Sequence, residues 1–76
     1  MSDEIKRNLE KIGQILKLRR KELKLSQEVL ADNIGIERKH LSAIENGKQN
    51  MTISTLYKVT KALDISIFEV FKRADE

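Results

Sequence analysis

The stretch LSQEVLADNIGIERKHLSAIENG, Leu25 to Gly47, decides how this chain is read. It holds two short apolar-periodic runs divided by one glycine, Gly35. Ser26 offers a side-chain oxygen to the first turn of a helix, and Gln27 and Glu28 suit the positive end of that helix. The spacing therefore predicts a helix from Ser26 to about Asn33. Val29 stands at the third helical position, where a capping box would need Glu or Gln. Gly35 takes positive φ at little cost and marks a turn. A further helix then runs from about Glu37 to Asn46, with Gly47 as its left-handed terminator. At about 100° per residue, Leu41 and Ile44 point to one side of it. Lys39, Ser42, Ala43 and Asn46 point to the other, flanked by Arg38 and His40. Leu30, Ala31, Ile34 and Ile36 are available to pack against the apolar pair, and Ala31 is small enough to let two helix backbones approach.

Outward from this stretch the chain reads as helices with short joints and no repeat, low-complexity tract or linker. Ile5, Leu9, Ile12, Leu16 and Leu23 recur at helical spacings, with Ile15 and Leu18 beside them, which predicts a first helix over about residues 4 to 23. Thr52 can cap a fourth helix whose apolar residues are Ile53, Leu56, Val59, Ala62 and Leu63. Ser66 with Glu69 forms the pattern of a capping box and starts a short fifth helix over 66–73. Residues 1–76 thus make one all-α, five-helix domain.

Composition narrows the function. A chain of 76 residues buries only about 60% of its unfolded surface, so its core is thin and leaves no room for a cleft. It has no Cys and no Pro, three Gly and three aromatic residues, a composition for helices rather than sheets. Without Cys there are neither disulfides nor thiolate metal ligands, which fits a reducing compartment. No apolar run nears the ~20 residues that cross a bilayer, and Met1 to Asn8 is charged, so a soluble, cytoplasmic protein is expected. There is no acid-base constellation, phosphate-cradling glycine loop or metal-ligand spacing, so no enzyme, metal or cofactor is expected. His40 is the single histidine, without a partner. Fifteen Lys and Arg against twelve Asp and Glu give +3, a weak signal alone. Lys17, Arg19, Arg20, Lys21 and Lys24 cluster against Glu22 only, however, and make a basic end where phosphates could sit.

Two helices, a glycine turn and this alternation of small and apolar residues form a helix-turn-helix pattern over 26–46. The spacing of Gln27, Ala31, Gly35, Leu41 and Ile44, the LSQEVLA start, the IENG exit and the downstream TISTLYKVTKALDIS together resemble the Cro/cI-type (XRE family) helix-turn-helix repressors. The resemblance spans about Ile12 to Phe71 and implies a compact, lambda-repressor-like five-helix fold. It also implies a third helix lying in the major groove of double-stranded DNA, and a homodimer on two half-sites, as is general for such repressors.

Carried over by position, the resemblance makes Gln27 a phosphate contact, with Ser26 beside it, and makes Arg38, Lys39 and Ala43 base-reading residues. Arg20 matches an arginine that pairs with the glutamate matched by Glu45 and faces the DNA backbone; Lys48 matches a phosphate-touching loop. His40, Ser42 and Asn46 flank the reading face as further candidate contacts, although each is equally ordinary helix surface. Arg can grip guanine O6 and N7 with two bonds, and Ala43 can meet a thymine methyl or act as a spacer. Glu37 departs from the pattern, since it stands at an N-cap where the family favours Ser or Thr. Lys24 stands where Gly is common, and Phe68 where an acidic residue is common. Ile65, Ile67, Phe68, Val70 and Phe71 exceed what one short helix should need, so a dimer contact is expected there, with Ile5 and Leu9 as possible extensions. The NMTI run after the third helix resembles restriction-modification controller proteins; phage or plasmid repressors are equally compatible. An antitoxin of the same fold, with a toxin as its main partner, is the competing expectation.

Overall fold

In the computed structural model, which describes residues 2–48 and 51–76, five helices follow one another: α1 (Asp3–Glu22), α2 (Gln27–Ile34), α3 (Arg38–Glu45), α4 (Ile53–Ala62) and α5 (Ile67–Ala74). Asn50 of the NMTI run lies outside the described residues. Four helices start at a hydroxyl that accepts a first-turn N–H. Ser2 takes Ile5 N–H, Ser26 takes Val29 N–H, Thr52 takes Thr55 N–H and Ser66 takes Phe68 N–H, all at 3.0 to 3.2 Å. Glu37 occupies the cap position of α3 without a side-chain capping bond. The expected capping box of α5 forms only half: Ser66 caps, but the Glu69 carboxylate accepts from Arg73 Nε at 3.2 Å, because a partner one turn ahead on the same face outcompetes the backbone behind it.

The four joints share one geometry. Each of α1 to α4 is closed by a left-handed residue, Lys24, Gly35, Gly47 and Asp64, with φ of 59°, 77°, 68° and 53°. In each, the next residue's N–H reaches back five positions: Leu25 to Arg20 O, Ile36 to Ala31 O, Lys48 to Ala43 O and Ile65 to Thr60 O, at 2.9 to 3.1 Å. These are Schellman closures, which satisfy carbonyls the helix would otherwise orphan. Where the reach-back residue is Leu25, Ile36 or Ile65, its side chain packs on the core; at the α3 exit it is the exposed Lys48. Two consecutive arginines hold the two joints that lack glycine. Arg20 Nη1 donates to Leu25 O at 2.7 Å, and Arg19 Nε donates to Leu63 O at 2.9 Å.

The core is the set of apolar residues these joints turn inward. Leu16, Leu30, Leu41, Ile44, Val59, Leu63 and Val70 are fully buried, with Ala31, Leu56 and Ile67 completing the cluster. Each large member contributes about 1.5–3 kcal/mol by leaving water. α1 spans the molecule and packs on both α3 and α5, while α2 packs on α3 and α4.

Gly13 sets how closely α1 and α3 approach. A Cβ there would lie 2.5 Å from the carbonyl oxygens of both Ile44 and Glu45. Glycine in a helix interior normally costs up to ~1 kcal/mol against alanine, yet here any side chain would collide with backbone rather than with a movable side chain. Gly13→Ala should therefore destabilise by about 1–3 kcal/mol, lowering the thermal midpoint by roughly 4–8 °C per kcal/mol. Thermal unfolding followed by circular dichroism measures this; a midpoint at or above the parent's would show that the two helices are not in restrictive contact.

Candidate nucleic-acid interface

α3 is fixed from beneath and open above. Leu41 and Ile44 are fully buried, and Glu45 at the end of the helix is 3% exposed. On the other side Arg38, Lys39 and Asn46 are exposed, and His40, Ser42 and Ala43 are half-buried. The outward face expected from helical periodicity is thus the face found.

Beneath this face runs a polar chain from the core to the surface. Arg20 Nε donates to Glu45 Oε2 at 2.7 Å and Arg20 Nη2 to Glu45 Oε1 at 3.1 Å, a two-pronged pair. Gln27 Nε2 donates to the same Glu45 Oε1 at 3.0 Å, and the other end of that amide, Oε1, accepts from Arg38 Nη1 at 3.2 Å. The expected brace between Arg20 and Glu45 is therefore formed. Arg20 itself is 7% exposed with its nitrogens engaged by Glu45 and Leu25, so it lies beneath the face rather than on it. The need to neutralise a buried carboxylate turns it inward.

Ser26 Oγ accepts the Val29 N–H, which leaves its hydroxyl proton free to donate outward at the start of α2. Lys39 Nζ sits 3.8 Å from Glu37 Oε2, with both side chains largely in solvent, where such a pair adds little. Beyond α3, Asn46 and Lys48 line an open groove of about 440 Å³ together with Lys6, Glu10 and Gly47. Lys6 was not legible as part of this end, because its place beside Lys48 depends on how α1 crosses the exit of α3. Arg19, one of the cluster expected to make a basic end, proves to be a joint-holding residue, and that too required the tertiary structure.

At the far end the five apolar side chains divide. Val70 is fully buried and Ile67 is 7% exposed, so Ile67 is a core residue rather than a dimer contact, since it lies on the side of α5 that faces the cluster. Ile65 is half-buried against the same core. Phe68 is 77% exposed and Phe71 41% exposed. Phe71 borders a hollow shared with Asn8, Ile12, Ala74 and Asp75, and Ile5 on α1 is also exposed. No helix among the described residues is long and apolar enough to cross a membrane.

A Helix-turn-helix family model matches residues 16–70, which take in all of α2, α3 and α4 together with Arg20 and Glu45. The chain belongs to the helix-turn-helix family. Control protein C.MunI of Mycoplasma sp is 40% identical over 59 residues, covering 78% of this chain and 80% of that protein. Among solved structures, the restriction-modification controller protein C.AhdI from Aeromonas hydrophila superposes with a TM-score of 0.79 at 38% identity, over 83% of this chain and 96% of that one. The controller protein C.Esp1396I, solved as a tetramer in complex with its natural 35 base-pair operator, gives a TM-score of 0.78 at 31% identity, over 90% of each chain. The helix-turn-helix match begins at Leu16, so Lys6, Gly13 and the first turns of α1 lie outside the matched segment.

Proposed function

We propose that this helix-turn-helix protein is a sequence-specific, double-stranded DNA-binding transcriptional regulator, cytoplasmic, that acts as a homodimer on a two-fold operator. The observation that carries the reading is the α3 face: two long cations, Arg38 and Lys39, stand exposed on a helix whose opposite side is fully buried. A helix so anchored can enter a major groove without rearranging, and Arg is the side chain best matched to guanine there. Ser26 and Gln27 at the start of α2, with Asn46 and Lys48 at the exit of α3, flank the reading face as phosphate-directed groups that set register. A controller-type regulator is the finer reading, supported by the likeness to C.MunI, C.AhdI and C.Esp1396I.

Two-fold binding needs a second copy. Phe68 and Phe71 supply an apolar surface for it, with Ile5 in reserve. An exposed Phe is better explained by a partner than by solvent, since it presents up to ~150–250 Å² that water disfavours.

Changing Arg38→Ala should weaken binding to the preferred operator by about 1–3 kcal/mol and relax preference at one base pair per half-site. The thermal midpoint should hardly move, because an exposed side chain adds little to stability. Fluorescence anisotropy with the operator and its single-base variants measures both effects. Equal affinity of mutant and parent for the operator would remove Arg38 from the reading set.

A further inference from the structure

We infer that Lys6, on the first turns of α1, is a DNA-backbone contact that works with Lys48 to grip a phosphate at the exit of α3. The inference rests on the DNA-binding reading above and extends it to a part of the chain that the helix-turn-helix match, over residues 16–70, leaves out. Lys6, Glu10, Gly13 and Arg20 stand four, three and seven residues apart, which puts them on one flank of a helix. Two of them show where that flank points. Arg20 bonds Glu45 at the end of α3, and a Cβ on Gly13 would lie 2.5 Å from the carbonyl oxygens of Ile44 and Glu45. Glu10 meets the loop that follows, since a Cβ on Gly47 would fall 2.6 Å from the Glu10 Cα. The contact is backbone on backbone, so the start of α1 is held against the segment that carries Lys48. Lys6 follows about one turn further out.

Lys6 and Lys48 are both exposed and line the open groove of about 440 Å³ with Asn46, Gly47 and Glu10. Among the described residues the ion pairs belong to Arg19, Arg20, Lys39 and Arg73, so neither ammonium is committed within the fold. Two lysines against the single carboxylate of Glu10 leave the groove positive, and Asn46 joins it to the reading face. An ammonium on a flexible stem suits a phosphate oxygen, which asks for charge rather than for a fixed fork. Ser26 and Gln27 approach the DNA backbone from the start of α2. Lys6 and Lys48 give a second anchor from the exit of α3, and two anchors fix the angle of α3 where one leaves a pivot.

The test follows how operator affinity falls with salt in the full chain, in Lys6→Gln and in Lys11→Gln. Each phosphate contact adds about 0.9 to the slope of log K against log salt. Lys6→Gln should therefore lower the slope by about 1 per protomer bound and weaken binding to all operator variants alike. Lys11 is exposed two residues before Gly13, nearly opposite on the helix, and borders a different hollow. Lys11→Gln removes the same charge and should leave the slope near the parent's. An unchanged slope in Lys6→Gln, or an equal loss in Lys11→Gln, overturns the inference. Neutral methylphosphonates placed singly along the half-site locate the contact: one position should cost the parent affinity and cost Lys6→Gln almost nothing further. If Lys6→Gln is as sensitive as the parent at every position, the inference is again overturned. A parent that binds no DNA defeats the regulator reading itself, whereas a parent that binds its operator without help from Lys6 defeats only this inference.

Discussion

Replacing Arg20 by Met should destabilise the domain by about 3–5 kcal/mol, because Glu45 would be left buried with a single amide donor in place of its two-pronged partner. At ~0.05–0.15 kcal/mol per residue a domain of this length has only about 4–11 kcal/mol in all, so much of its stability rests on keeping that carboxylate paired. Glu45→Leu should be damaging for the complementary reason, since the Arg20 guanidinium would retain only Leu25 O. The double variant removes both charges and should cost less than the sum of the single changes, with a coupling of about 0.5–3 kcal/mol. Urea unfolding of the four proteins measures the cycle. Additive effects would mean that the two side chains do not act as a pair, and the polar chain beneath α3 would lose its foundation.

Phe68→Glu should yield a monomer of unchanged helical content whose affinity for a two-fold operator falls by about 10²–10⁴, while affinity for one isolated half-site stays near the parent's. Two linked half-sites gain from simultaneous engagement, and a monomer forfeits that gain. Phe68 is the most exposed large apolar side chain among the described residues, at 77%, so a charge there should be tolerated by the fold and rejected only by a partner. Sedimentation at micromolar concentration reads the assembly state directly. A variant that still sediments as a dimer would move the interface elsewhere, most plausibly onto Ile5 and its neighbours on α1.

Helices with strong periodicity and hydroxyl caps were legible almost to the residue: α1 was expected over about 4–23 and lies at Asp3–Glu22, and the turn at Gly35 falls where its positive φ required. The joints show why the remainder was hidden. All four have the same left-handed closure, but only the two with glycine announce it in the sequence. Lys24 and Asp64 adopt the same φ at a conformational cost, which is offset by the backbone closures and by the arginine held at each joint. Spacing could not reveal that Arg19 and Arg20, adjacent in sequence, would turn to different joints, Arg19 to the end of α4 and Arg20 to the end of α1. Nor could it show that Gly13 is a contact rather than a flaw in a helix, since the colliding atoms belong to residues about thirty positions away.

At the candidate interface, the outward and inward faces of α3 followed from its period, and the pairing of Arg20 with Glu45 followed from family resemblance. The link through Gln27 to Arg38 did not, because hydrogen-bond direction depends on which side chains the packed helices bring together. Of the apolar residues read as surplus at this end, Phe68 and Phe71 are exposed, but periodicity in so short a helix did not remove Ile67 from that set.

The most direct test of the account is selection of bound fragments from random double-stranded DNA by the whole protein, followed by sequencing. Enrichment of an inverted repeat whose half-site centres lie about 10 base pairs, or one helical turn, apart is the expected result. Recovery of fragments with no shared sequence, held only by salt-sensitive affinity, would contradict it.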